Sequence, residues 1–305
     1  MTETTIMSNL YRPYLPPETL DHIVDFLHDD RKSLLRCSLV SKSWIPRTRQ
    51  HLFTFVAFSS AARLESWKQM FPDASTSPAR YTRRVLLKFP ELVTAASTVE
   101  SGWIRAFSHV IWLGLFIRFR EFDIDDLAAS LRQFHGFSPS VKSLQLSLDA
   151  HPNSHIFTLI SSFPHLEGLM LTPLAFGNDN GPVDLDVPHT IVRPSPAFTG
   201  TLEISLFNGA DRMVNWLLSL PNGLHFRKIV MFWFRVGDTQ SMDALVTGCS
   251  DTLECLTISQ PPSGSSVISG PGPRLTIAPR LPRNDPRLPL ESEETCRSGL
   301  LNPDG

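Results

Sequence analysis

The stretch LPPETLDHIVDFLHDDRKSLLRCSLVSKSWIPRTRQHLF, residues 15–53, decides how the rest of the chain is read. Pro16 and Pro17 set φ near the helical value at a place where a missing N–H costs little, so a helix is expected to start there. Leu20, Ile23, Val24 and Leu27 then recur at the i, i+3, i+4, i+7 spacing of a short amphipathic helix. Asp29 or Asp30 is the expected N-cap of a second helix, with Leu34, Leu35, Leu39 and Val40 on its buried side. Ser41, Lys42, Ser43 and Trp44 follow, and Ile45-Pro46 breaks the pattern and opens a third helix. Three short helices in about forty residues bury little apolar surface by themselves. Such a unit gains stability by lending its open face to a partner.

Beyond this stretch the chain is long enough, at 305 residues, for a sizeable core. Charged residues make up 19% and the formal net charge is −2, so no basic field supports nucleic-acid binding. Cys37, Cys249, Cys255 and Cys296 are scattered without a disulfide framework, which fits a reducing compartment. Residues 1–14 carry no apolar signal core, and the most apolar run, Val110 to Ile117, is too short to span a bilayer. A protein of the cytoplasm or nucleus, with no membrane partner, is expected.

An internal repeat sets the fold class of the remainder. Apolar residues recur at positions 1, 4 and 6 as Val110/Leu113/Leu115, Val141/Leu144/Leu146, Leu166/Leu169/Leu171, Phe226/Ile229/Met231 and Leu253/Leu256/Ile258. Weaker copies are read from Thr82 (Val85, Leu87) and Thr201 (Ile204, Leu206). Successive starts are 28, 31, 25, 35, 25 and 27 residues apart. Helical stripes separate the copies: Ile124 to Phe134, Ile156 to Phe163 behind a Ser154 cap, Val214 to Leu218 behind Asp211, and Met242 to Val246. An earlier helix is expected over residues 60–71, with Leu64, Trp67 and Phe71 on one face, after a first buried strand at 53–58. Strand, helix and strand again, repeated, build a curved parallel solenoid of the α/β class. A doubly wound α/β sheet gives the same alternation. Arg118, Asp149, Leu174, Phe234 and Pro261 stand where leucine-rich repeats usually place Asn or Cys, so the repeats are degenerate.

The expected organisation is a flexible 1–12, a helical head at 13–54, a solenoid at 55–260 and a disordered Pro/Gly/Ser-rich tail at 261–305. Residues 175–198, rich in Gly, Pro and Asp, are a loop insertion. No phosphate-binding loop, dinucleotide fingerprint or nucleophile elbow occurs, which disfavours a hydrolase. Pro152 keeps His151 and His155 off a shared helix face, and neither His165 nor the pair Cys249 and Cys255 completes a metal site. Asp123, Asp125 and Asp126 precede a helical stripe and read as N-terminal charges of a helix. No catalytic residue, metal or cofactor is expected.

LPPETLDHIVDFL, Leu34, Cys37 to Lys42 and Trp44 together resemble the F-box motif along its whole length. The phrases at 65–87, 162–171, 220–230 and 249–258 resemble segments of F-box proteins from mushroom-forming fungi. The resemblance implies docking to a Skp-type adaptor and, through it, to a cullin–RING ubiquitin ligase. It also implies that Leu15, Pro16, Leu20, Ile23, Leu39, Val40 and Trp44 face the adaptor or brace that face. The solenoid would then receive an unknown protein substrate. If positions 4 and 6 point into the core, positions 3 and 5 point to the concave surface, where Trp112, Gln145, Met170, Val230 and Thr257 are the expected substrate contacts. A solenoid scaffold that its helical head merely caps is the alternative.

Overall fold

The computed structural model describes residues 15–88, 102–117, 134–137, 139–148, 154–173, 198–205, 210–232, 239–259 and 274–277. The expectations for residues 1–12, for Asp123 to Leu131, for most of 175–198, for His151 and for the five degenerate repeat positions lie outside these residues.

The head has three helices, α1 (Pro17–Phe26), α2 (Arg31–Val40) and α3 (Ile45–Leu52), with a 3-10 turn at Lys42–Trp44. Pro17 is the first helical residue. Pro16 stays extended (φ −52°, ψ 143°), as the clash with a following proline ring requires, and its carbonyl accepts from the Thr19 and Leu20 amides. Asp30, rather than Asp29, caps α2 and accepts from the Lys32 and Ser33 amides at 3.0 and 3.1 Å. Val24, Leu34 and Leu52 form the head's buried centre, with Leu27, Trp44 and Phe53 packed against it. Phe53 also packs against the core of the body, so the two clusters meet at one ring.

Among the described residues the body forms a nine-stranded sheet: β1 (Phe55–Phe58), β2 (Arg84–Leu87), β3 (Trp112–Ile117), β4 (Ser143–Leu148), β5 (Gly168–Pro173), β6 (Thr201–Ser205), β7 (Lys228–Phe232), β8 (Cys255–Ser259) and β9 (Arg274–Ile277). The strands lie side by side in sequence order, and β1 to β8 are all parallel. A doubly wound sheet reverses its order at a switch point. None occurs here, so the body is solenoid-like. The connections hold α4 (Ala61–Met70), α5 (Gly102–Arg105), α6 (Ser154–Ser161), α7 (Ala210–Leu218) and α8 (Thr239–Gly248).

Register stacks Val56, Val85, Leu113, Leu144, Leu169, Leu202, Ile229 and Leu256 in one row. Phe58, Leu87, Leu115, Leu146, Leu171, Ile204, Met231 and Ile258 form the next. Both rows lie in or against one continuous core with Leu64, Ile156, Leu159, Ile160, Val214, Leu217 and Leu245 of the helices. The opposite face of the sheet therefore carries positions 3 and 5 of each copy. At most strand starts a single carbonyl accepts two successive amides of the next unit. Thr54 takes Arg83 and Arg84, Arg83 takes Ile111 and Trp112, and Arg227 takes Glu254 and Cys255.

The register changes the repeat in three places. A copy the leucine spacing did not count begins at Phe53, with Val56 and Phe58 in the two rows. The copy read from Thr201 is two residues out: Leu202 and Ile204, not Ile204 and Leu206, stand opposite Leu169 and Leu171. Its irregular start is Phe198, whose φ of 45° lies in the left-handed region that costs a non-glycine residue roughly 1–2 kcal/mol. That turn buries the Phe198 ring 5.1 Å from Phe226, a core place that position 1 supplies in other copies, while Thr199 is exposed. Third, the stretch read as a structureless tail contains β9, which runs antiparallel to β8 with Thr257 opposite Thr276. Arg-Leu-Thr-Ile alternates polar and apolar over four residues, too short a run to stand out among the surrounding prolines. Pairing there satisfies the backbone edge that β8 would otherwise present.

Two outcomes test this architecture. Leu144→Ala, at the centre of the first row, should lower stability by about 2–5 kcal/mol in urea unfolding, and Leu256→Ala, half-buried at its end, by less. Deleting residues 274–277 should free the β8 edge and raise the associated fraction in light scattering.

Candidate functional site

The head's apolar residues divide unevenly between inside and outside. The second helix was expected to bury Leu34, Leu35, Leu39 and Val40, but only Leu34 is buried. Leu39 is 87% exposed, Val40 69%, and Leu35 is open as well. On α1 only Val24 is buried, Leu20 and Leu27 are half-buried, and Ile23 and Phe26 are exposed, Phe26 at 87%. Leu15 and Pro16 are exposed before the helix, and Trp44 is half-buried against the head's own centre. Thus Leu15, Pro16, Ile23, Leu39 and Val40 are available to a partner, whereas Leu20 and Trp44 stand partly behind them. Phe26 and Leu35 were not among the expected contacts. Spacing was the signal that carried them: Phe26 lies three residues after Ile23, and Leu35 four before Leu39, so each pair shares a helix face. Three buried residues against six large exposed ones is an inside-out balance for so small a unit. Covering a Leu, Ile or Phe stabilises by about 1.5–3 kcal/mol each, so a partner has a large gain available.

Polar contacts hold the helices in place where the small core does not. Asp25 of α1 receives Arg47 of α3 as a fork, Nε to Oδ1 at 2.6 Å and Nη2 to Oδ2 at 2.5 Å. His51 Nε2 donates to Oδ1 at 2.7 Å, and Arg47 Nη1 reaches Gln50 Oε1 at 3.1 Å. The Arg47 hydrogen bonds, then that of His51, hold the Asp25 carboxyl well below the usual carboxylate range, against an opposing desolvation. The buried Thr48 hydroxyl returns its proton to the Trp44 carbonyl at 2.9 Å, joining α3 to the 3-10 turn.

On the sheet face that carries positions 3 and 5 the expected substrate contacts fare differently. Trp112, Gln145 and Met170 are half-buried on three successive strands. Val230 and Thr257 are buried, at 5% and 1% exposure, and offer no accessible surface. Alternation assigns a residue to a face; it does not say whether that face meets solvent. Glu203 stands in register between Met170 and Val230. Burial pushes its carboxyl up, and the Lys228 ammonium opposes this. Among the described residues no group of three His, Cys, Asp or Glu side chains is placed to hold a metal, and no helix is long and apolar enough to cross a membrane.

The Asp25 cluster generates a pH dependence. A carboxylate whose folded pKa lies below its unfolded value of about 3.9 contributes stability above that value and loses it as pH falls through the folded pKa. Protection of α1 and α3 amides should hold at neutral pH and fall below about pH 4. Asp25→Asn should lower protection at neutral pH and flatten the acid limb in hydrogen-exchange measurements.

Residues 13–45 match the family model described as F-box-like, which spans α1, α2 and the 3-10 turn with its partly covered Trp44. No curated protein matches the chain. The helical head with its open apolar face is therefore an F-box-like domain.

Proposed function

We propose that the chain is the substrate-receptor subunit of a Skp–cullin–F-box ubiquitin ligase. An F-box-like domain suggests an adaptor-binding role. The observation that carries this reading is the head's surface, where Leu15, Ile23, Phe26, Leu35, Leu39 and Val40 are all exposed around a three-residue centre. The adaptor covers that surface and links the chain to the cullin–RING subunits, which supply the chemistry; the chain itself is not an enzyme. The degenerate repeat body, residues 55–260, holds a protein substrate, and the complex works in the cytoplasm or nucleus.

A second reading, a scaffold outside the ligase, draws on Phe53, which packs in both clusters and seats the head on the first repeat as a cap. Adaptor capture separates the two. The wild-type chain should co-purify with a Skp-type adaptor. Ile23→Asp or Leu39→Asp should reduce capture by at least about tenfold, because a desolvated unpaired charge costs several kcal/mol. Both sites are on the surface, so urea unfolding of the body should not change. Undiminished capture by both variants would leave the scaffold reading in possession.

A further inference from the structure

The first three strands build a second surface that the head does not use. Phe55, Arg84 and Trp112 stand opposite one another in register on the sheet face away from the core. The Arg84 guanidinium lies 5.5 Å from the Phe55 ring centroid and 4.8 Å from that of Trp112, and the two rings meet edge-on at 6.4 Å. Four residues along the same strand edge, Lys88 sits 5.5 Å over the ring of Phe116. Between these two stations the floor is Leu86 and Gly114, both buried, flanked by the half-buried rings of Trp112 and Phe116. A Cβ on Gly114 would stand 2.5 Å from Leu86 Cδ1 and 2.7 Å from Trp112 Cη2, so the indole and Leu86 close over the glycine.

Among the described residues both stations hold a positive charge with no ion-pair partner, whereas Arg47, Lys68, Lys142 and Arg227 each find one. A guanidinium held over aromatic rings by cation–π attraction spends no N–H on them, so its donors stay free to grip a planar anion. Two rings flank the half-buried Arg84, so less rotamer freedom remains for it to lose on binding. Positions i, i+2 and i+4 of an extended segment share one face and span about 13 Å, the spacing of Arg84 and Lys88 along their strand.

We infer that this surface docks an acidic segment of a protein partner in extended form, with two carboxylates four residues apart gripped by Arg84 and Lys88 and an apolar side chain between them against the half-buried rings of Trp112 and Phe116. The inference rests on the reading that the body receives a protein partner, and names what that partner presents. Two cations on a chain of net charge −2 suit a short acidic peptide better than a nucleic-acid backbone.

Fluorescence anisotropy tests it on the full chain, with a labelled peptide of about twelve residues carrying two glutamates four positions apart and a leucine midway. That peptide should bind, and added salt should weaken it. Replacing both glutamates with glutamine, or moving them to a spacing of three, should weaken binding by at least about tenfold. Arg84→Glu and Lys88→Glu should each cost about as much; Lys88 is exposed, so its variant reads binding even if the Arg84 variant unfolds. Equal binding of the glutamate and glutamine peptides, no binding at all, or wild-type affinity in the Lys88 variant overturns the proposal. Binding of a phosphoserine version or of single-stranded RNA in preference to the glutamate peptide overturns it too. Adaptor capture, run in parallel, should survive both substitutions. Its absence from the wild type would sink the ligase reading while leaving the peptide result to stand or fall alone.

Discussion

Everything in the body depends on two apolar side chains per strand, two residues apart, falling into the same pair of buried rows. Because β1 to β8 keep one register, Val56 to Leu256 and Phe58 to Ile258 stack without a slip. A shift of one residue in any strand would move its whole apolar set to the other face, so burial enforces the register. Helices such as α6 and α7 contribute Ile156, Ile160, Val214 and Leu217 to the same core. With one face closed in this way, the pleat leaves positions 3 and 5 for the other, and Phe55, Arg84 and Trp112 become neighbours although 57 residues separate the first from the last.

Head and body spend their apolar residues in opposite ways. The body hides nearly all of its rows, and even takes a left-handed φ at Phe198 to place a ring inside. The head hides three residues and leaves six large ones open, relying on Asp25, Arg47 and His51 to fasten α1 to α3. That cluster is half-exposed, so salt screens it and it cannot replace a core. A unit so built holds its shape cheaply and keeps its apolar surface for something else. Phe53 is where the two designs join, since its ring belongs to both clusters.

The open face of the sheet is not uniform. Near the head it carries aromatic rings and two cations with no ion-pair partner among the described residues; toward the other end Val230 and Thr257 are buried, and Glu203 sits half-buried beside Lys228. Recognition by the body, on this view, belongs to its first strands, next to the head.

Local signals settled much of this protein. A Leu-Pro-Pro start, the Asp30 cap and the helical stripes each follow from backbone chemistry within a few turns, and together with a leucine spacing of 25 to 35 residues they located the head, most strands and their parallel order. The F-box pattern singled out Leu15, Ile23, Leu39 and Val40, and all four are exposed. Where the reading failed, the missing information was distant in sequence. Spacing alone could not tell Leu34 from Leu35, because a helix stripe says which residues share a face and not which face meets α3. Nor could it align β6, whose register is set by Leu169 and Leu171 across a long insertion and by the turn at Phe198. Four alternating residues in a proline-rich tail gain meaning as β9 only beside the free edge of β8. The contact of Arg84 with both Phe55 and Trp112 joins three separate repeats, so only the tertiary register, by bringing their third positions to one line, created that site.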